Sequence, residues 1–213
     1  MSADREQAYE SWRKLLDPDD LKANLVRVSV YLASYELLKA TVVEKPRWFL
    51  SIGHSAVGKD SPEYRTKVLA LHHKDRFHAS CLWFRKMEAI DDDDLKVIEQ
   101  IREHRNDIAH ELPKYLAESR FAVNMQLLDS IHFMVGKIER WWIRKIEMGV
   151  NPDFDDVDPD SIPDSEIRGG NTIIMDLIHK IIHGQDDELR RLLDVFGSVW
   201  EKEQGGASTP AES

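Results

Sequence analysis

Cysteine, positive charge, long apolar runs and strand-like alternation are all scarce in this chain, and each shortage removes a class of protein. A single cysteine, Cys81, rules out an internal disulfide and fits a reducing compartment. It lies inside an apolar segment, so a core position is expected rather than a reactive thiol. No run of about 18 apolar residues is present, which excludes a hydrophobic membrane-spanning helix. The opening MSADREQAYESW is too polar for a secretory signal, and the sequence reads as that of a cytoplasmic protein with no membrane partner. Positive charge is outnumbered, 29 Lys and Arg against 39 Asp and Glu, for a net charge of −10. A protein that coats nucleic acid through its overall field is thereby excluded, and any RNA contact has to be local.

What is present is helical period. The chain of 213 residues is long enough for one well-buried domain, expected over residues 1–203 with a disordered tail at 204–213. Residues 4–16 and 18–43 read as helices, joined by the cap and first-turn pair Asp17 and Pro18. In the second, Leu21, Leu25, Val28, Leu32, Tyr35 and Leu38 recur at inward positions, and Pro46 is expected to end the segment. From Ser61 the period returns with Tyr64, Val68 and Leu71, then Phe77, Cys81, Leu82, Phe84 and Met87. Trp83 and Phe84 share that apolar spacing and read as core rather than as a base-stacking platform. Residues 120–149 form the longest uninterrupted pattern, apolar around so much of the helix that it is either central to the bundle or buried in a dimer. Residues 150–170 are acidic, proline-bearing and aperiodic, hence a surface loop, and a last helical region over 172–202 is broken at Gly184. The fold class is all-α, a bundle of long antiparallel helices.

Four near-motifs fail on their chemistry. Gly53, Gly58 and Lys59 give G-x-x-x-x-G-K, but Asp60 stands where a hydroxyl should meet magnesium and Pro62 follows where a helix should offer free amides. A loop between helices is expected there, not a nucleotide site. Asp156, Asp158 and Asp160 open like a calcium loop, yet Ser161 replaces the required glycine and Glu166 comes one residue early. His72, His73 and His78 are spaced poorly for a metal, and surface or capping roles are expected. His179 and His183 have the i,i+4 spacing of a helical zinc site, but they lie off the apolar face and Lys180 replaces a zincin's glutamate. Neither a metal nor a cofactor is expected.

The stretch Asp91–Leu112 carries the chemistry. Four aspartates suit a helix start, where free amides and the macrodipole favour negative charge. Leu95, Ile98, Ile101, Ile108, Ala109 and Leu112 gather on one stripe at about 100° per residue, and Arg105 falls within it. A guanidinium along an apolar seam loses hydration unless acceptors are supplied, which favours a partner or substrate there. Asn106 and His110, four apart, project from one side, and Pro113 ends the helix within a turn of His110. Local cations available to RNA are Arg102, His104 and Arg105, then Arg85 and Lys86 upstream. Lys137, Arg140, Arg144 and Lys145 downstream are expected to form a salt-bridged helical surface.

Arg105-Asn106-Asp107-Ile108-Ala109-His110 resembles the Arg-x4-His motif, often beginning Arg-Asn, of the HEPN superfamily. The resemblance is specific over about ten residues and architectural over the rest of residues 1–203. It implies a HEPN-like helical bundle and a metal-independent endoribonuclease whose two motifs face each other in a homodimer. His110 would then move a proton, Arg105 would stabilise charge on the phosphoryl oxygens and Asn106 would orient both, with Arg102 and His104 contacting RNA. Such nucleases commonly act as toxins or phage-defence effectors restrained by a second protein, so an inhibitory partner is expected. Other members of the superfamily are non-catalytic interaction modules, which is the competing expectation. Nucleotide binding through the Gly53–Lys59 loop is a third.

Overall fold

The structure, a computed structural model, describes residues 3–51 and 60–206, and every regular element among them is helical. Helix α1 spans Ala3–Leu16 and α2 spans Pro18–Phe49. Asp17 separates them as foreseen, accepting hydrogen bonds from the amides of Asp19 and Asp20 at 2.9 and 3.1 Å. At 32 residues α2 exceeds the 18 residues of α7 (Met125–Trp142), so the longest helix is not in the 120–149 segment where period alone placed it. Helix α2 runs through Pro46 instead of stopping there. The proline sits in the last turn, where a missing N–H forfeits a single helical bond, and its ring is buried beside Val42 and Val43. Leu25, by contrast, is 45% exposed and leaves the expected core.

Gly53, Gly58 and Lys59 lie outside the described residues. The residues that follow have structural duties. Asp60 binds Arg47 at 3.0 Å and Arg76 at 2.7 Å, and although burial opposes its ionisation, these two guanidiniums hold its carboxyl below the usual range. Ser61 caps α3 (Pro62–Lys67) through the Tyr64 amide and donates to the Leu50 carbonyl at 2.7 Å. Helix α4 (Arg76–Lys86) is capped by Asp75 and buries Phe77, Cys81, Trp83 and Phe84. Burial also pushes the Cys81 thiol far above its ordinary range, in keeping with an inert core position.

Helix α5 (Asp92–His110) is followed at once by α6 (Leu112–Ala117), whose first turn holds Pro113. Lys14 of α1 fastens the turn after α6 by donating to the carbonyls of Tyr115, Glu118 and Phe121 at 2.8, 2.9 and 2.6 Å. Helix α7 begins on an Asn124 cap and continues through a π-helical turn, Ile143–Glu147, to Val150; Phe121 precedes the helix. Leu128, Ile131, Val135, Ile138 and Trp142 of α7 are fully buried, and α7 packs on both α2 and α5. Of the two explanations for its wide apolar surface, the central position therefore suffices. Trp83, Phe84, Trp141 and Trp142 meet in edge and tilted contacts at 5.1–6.5 Å, which makes the aromatic pair core, as its spacing indicated.

A carboxylate is buried in this core. Glu139 is 2% exposed, and its carboxylate meets Lys45 at 3.4 Å and accepts from the amide and hydroxyl of Thr172, both at 2.8 Å. Residues 150–170 form three single turns, Pro152–Phe154, Pro159–Ser161 and Asp164–Glu166. Arg144 and Arg140 bind Asp164, and Lys145 binds Asp160, so three of the four downstream cations are spent on the acidic loop. Asp158 caps its own turn by accepting from the Asp160 amide.

Helix α8 spans Gly170–Ile182 and α9 spans Asp186–Gly206. The chain divides into two compact units, Met1–Met175 and Asp176–Ser213, with the division inside α8. In the second unit Gly184 makes the break at φ +70°, a left-handed conformation that favours glycine. Rings of His179 and His183 lie 4.2 Å apart there, and Leu192, Leu193, Val195 and Phe196 of α9 are exposed. Helix α9 extends into the expected tail as far as Gly206, and residues 207–213 lie outside the described residues.

Candidate functional site

Helix α5 is set by its ends. Asp91 accepts from the amides of Asp93 and Asp94, and the Asp94 carboxylate accepts from the Asp91 amide, a reciprocal capping box. Asp94 and Asp91 also pair with Lys137 of α7, tying the helix start to the bundle centre. Arg85 pairs with Asp92. Ile98, Ile101 and Ile108 are the buried stripe, and Tyr31 of α2 donates to the Ile101 carbonyl at 3.1 Å. Leu112 and Ala109, counted on the stripe by period, are exposed because the chain turns into α6 at Glu111.

Arg105 stands at the edge of the seam, 32% exposed. Its Nη2 donates to Glu36 of α2 at 2.9 Å, its Nη1 to Asn106 Oδ1 at 3.3 Å, and its guanidinium lies 5.2 Å over the Tyr35 ring. The acceptor that the seam required thus comes from the chain itself, where the sequence reading looked to a partner. Glu36 is 69 positions away and carries no local signal of this role. The Nε of Arg105 is buried and has no hydrogen-bond partner among the described residues. His110 ends the helix, exposed, with no hydrogen bond or ion pair of its own among the described residues. Asn106 is one turn before it on the same side.

Arg102 and His104 are both engaged. Arg102 Nη1 binds Asp75 at 2.6 Å, with Glu99 at 3.9 Å. Burial opposes ionisation of Asp75, but the His78 amide and Arg102 hold its carboxyl low. His104 Nε2 accepts from the Asn124 amide at 2.9 Å, and its ring packs edge-on against Tyr31 at 4.9 Å and Tyr115 at 5.8 Å. This position accounts for His104 by packing: it fastens the start of α7 to α5.

Burial holds His104 below the ordinary histidine range. A depressed folded-state value means that the unfolded chain takes up the proton first, so stability is lost as pH falls from about 6.5 towards the lower folded value. Urea unfolding at pH 7.5 and 5.5 is expected to show this loss, and His104→Gln, which keeps an acceptor for Asn124, is expected to show less of it. An equal loss in both proteins would remove His104 as the source.

No helix among the described residues is long and apolar enough to cross a membrane. Comparison with protein-family models, curated proteins and solved structures finds no match, so the site rests on the residues of this chain alone.

Proposed function

We propose that the chain is a metal-independent endoribonuclease acting as a homodimer. The observation that carries this reading is the end of α5, where a guanidinium fixed by Glu36, Tyr35 and Asn106 shares the helix with an exposed histidine that has no side-chain partner among the described residues. In the reaction the 2′-hydroxyl of a ribose attacks its own 3′-phosphate. A 2′-O–P bond forms, the P–O5′ bond breaks, and the products carry a cyclic phosphate and a free 5′-hydroxyl. His110 moves a proton as base at the 2′-hydroxyl or as acid at the leaving 5′-oxygen, the two duties being shared across two protomers. Arg105, its side chain 32% exposed, stabilises charge on the phosphoryl oxygens. Asn106, bonded to Arg105 and one turn from His110, orients the pair.

Support for the dimer comes from the HEPN resemblance, and with it the further reading of a toxin or phage-defence effector held by an inhibitory protein. Light scattering at micromolar concentration is expected to report twice the 24.7 kDa chain mass; a monomer that still cleaves RNA would remove the composite site. The test of activity is cleavage of a mixed RNA pool in excess chelator with end-group analysis. Cyclic-phosphate ends are expected from the wild type, and no cleavage would sink the reading.

A non-catalytic interaction module is the second reading. It is favoured by the exposed apolar residues Leu192, Leu193, Val195 and Phe196 of α9 and by the internal pairing of Arg102, Arg105, Arg140 and Arg144.

A further inference from the structure

One turn before Arg105, α5 forms a wall of a cleft of about 370 Å³ lined by His72, Asp75, His78, Leu95, Lys96, Glu99 and Arg102. Its groups are incompletely used by the protein. Arg102 employs Nη1 alone, leaving Nε and Nη2 without partners among the described residues. Glu99, 49% exposed, has only the distant contact to Arg102. His72 Nδ1 is buried with no hydrogen-bond partner, and its ring meets His78 edge-on at 4.9 Å. Asp75 is occupied on both sides, by the His78 amide and by Arg102.

The chemistry of the ligand follows from this set. The two carboxylates of the lining are balanced by Arg102 and by Lys96, which also meets Asp93 at 2.7 Å, so the ligand is selected by shape and hydrogen bonding rather than by net charge. Leu95 and the two imidazoles offer faces for a flat heteroaromatic ring, as single-stranded RNA bases find on aromatic and histidine side chains. The open polar groups are one fork of donors and one carboxylate acceptor, on the same helix three residues apart. Guanine matches them: its O6 and N7 accept from a guanidinium, and its N1–H and N2–H2 donate to a carboxylate. Adenine presents a donor at the position of O6, and the pyrimidines are shorter.

We propose that this cleft is a guanine subsite, with Glu99 and the open edge of Arg102 reading the base while His72, His78 and Leu95 pack its faces. The proposal rests on the ribonuclease reading for its biological setting: Arg102 lies one turn from Arg105, so a base held here belongs to a nucleotide beside the reacting phosphate. Free guanine nucleotides and guanine within a strand share the chemistry and are separated by the test.

Binding of GMP, AMP, CMP and UMP to the full chain is measured by titration calorimetry, for the wild type and for Glu99→Gln, whose partly exposed position leaves the fold intact by circular dichroism. GMP is expected to bind at least tenfold more tightly than the others, and Glu99→Gln to remove that preference. Equal affinities, no binding of any nucleotide, or a preference untouched by Glu99→Gln would overturn the subsite. Cleavage sites in the RNA pool are mapped in parallel. Cuts beside guanine in the wild type and scattered cuts in Glu99→Gln place the guanine within a strand; GMP preference without cuts beside guanine assigns the cleft to free nucleotide. A GMP preference in a protein that cleaves no RNA would leave the subsite standing and end the ribonuclease reading. Cleavage without any GMP preference would do the reverse.

Discussion

His110→Ala is expected to lower RNA cleavage by about 10²- to 10⁴-fold, the usual worth of a positioned proton carrier, while unfolding in urea shifts by less than about 0.5 kcal/mol. The two halves of that expectation have separate causes. Cleavage falls because the neighbouring basic groups of α5 are engaged: Arg102 and Arg105 are held by carboxylates and His104 by the Asn124 amide. Stability persists because His110 is exposed, makes no hydrogen bond and occupies the last position of α5, so its removal empties no space. Arg105→Ala extends the test. It is expected to reduce cleavage by a comparable factor at a stability cost of about 1 kcal/mol, from an exposed ion pair and a cation–π contact. Arg105→Lys retains the charge but loses the planar fork, and cleavage is expected to stay low. Full activity in His110→Ala would end its assignment as proton carrier. Loss of the folded state in Arg105→Ala would show that the guanidinium serves structure.

Glu139→Ala is expected to cost about 3–5 kcal/mol, the usual result of removing one partner from a buried pair. That is a large part of the roughly 5–15 kcal/mol that holds a domain folded. Lys45, itself 19% exposed, would keep the partly exposed Glu147 at 3.8 Å and the Trp142 ring at 5.4 Å, and the amide and hydroxyl of Thr172 would lose their acceptor. Glu139→Gln keeps an acceptor oxygen for Thr172 and is expected to cost less. A second substitution checks the same site from the other side. A Cβ on Gly169 would run into the Glu139 carboxylate, so Gly169→Ala is expected to destabilise by about 1–3 kcal/mol through overpacking. In the double variant Glu139→Ala with Gly169→Ala the two costs are expected to fall short of their sum, because the collision disappears with the carboxylate. Denaturant midpoints that add without coupling would contradict this packing.

Local chemistry made much of the fold legible. The Asp17–Pro18 boundary, the aspartate start of α5, the break at Gly184 and the loop over 150–170 all depend on groups within a few residues of one another, where caps, fixed φ and missing amides act directly. Pro46 was misleading for a related reason: its cost is local, but burial beside Val42 and Val43 comes from the fold, and burial prevailed. Residues 120–124 likewise carried apolar period without helix, since the turn fastened by Lys14 and the Asn124 cap set the start of α7.

The sequence by itself determined that the chain is all-α, that α5 begins at the aspartates and ends within a turn of His110, and that Arg105, Asn106 and His110 travel together on it. These follow from helical period and capping, which need no distant partner. Only the tertiary structure decided what surrounds them. Glu36 reaches Arg105, Asp75 reaches Arg102, Asn124 reaches His104, and the acidic loop takes up Arg140, Arg144 and Lys145. An ion pair or hydrogen bond between residues 20 to 69 positions apart depends on how helices pack, and packing is a property of the assembled core rather than of any one segment.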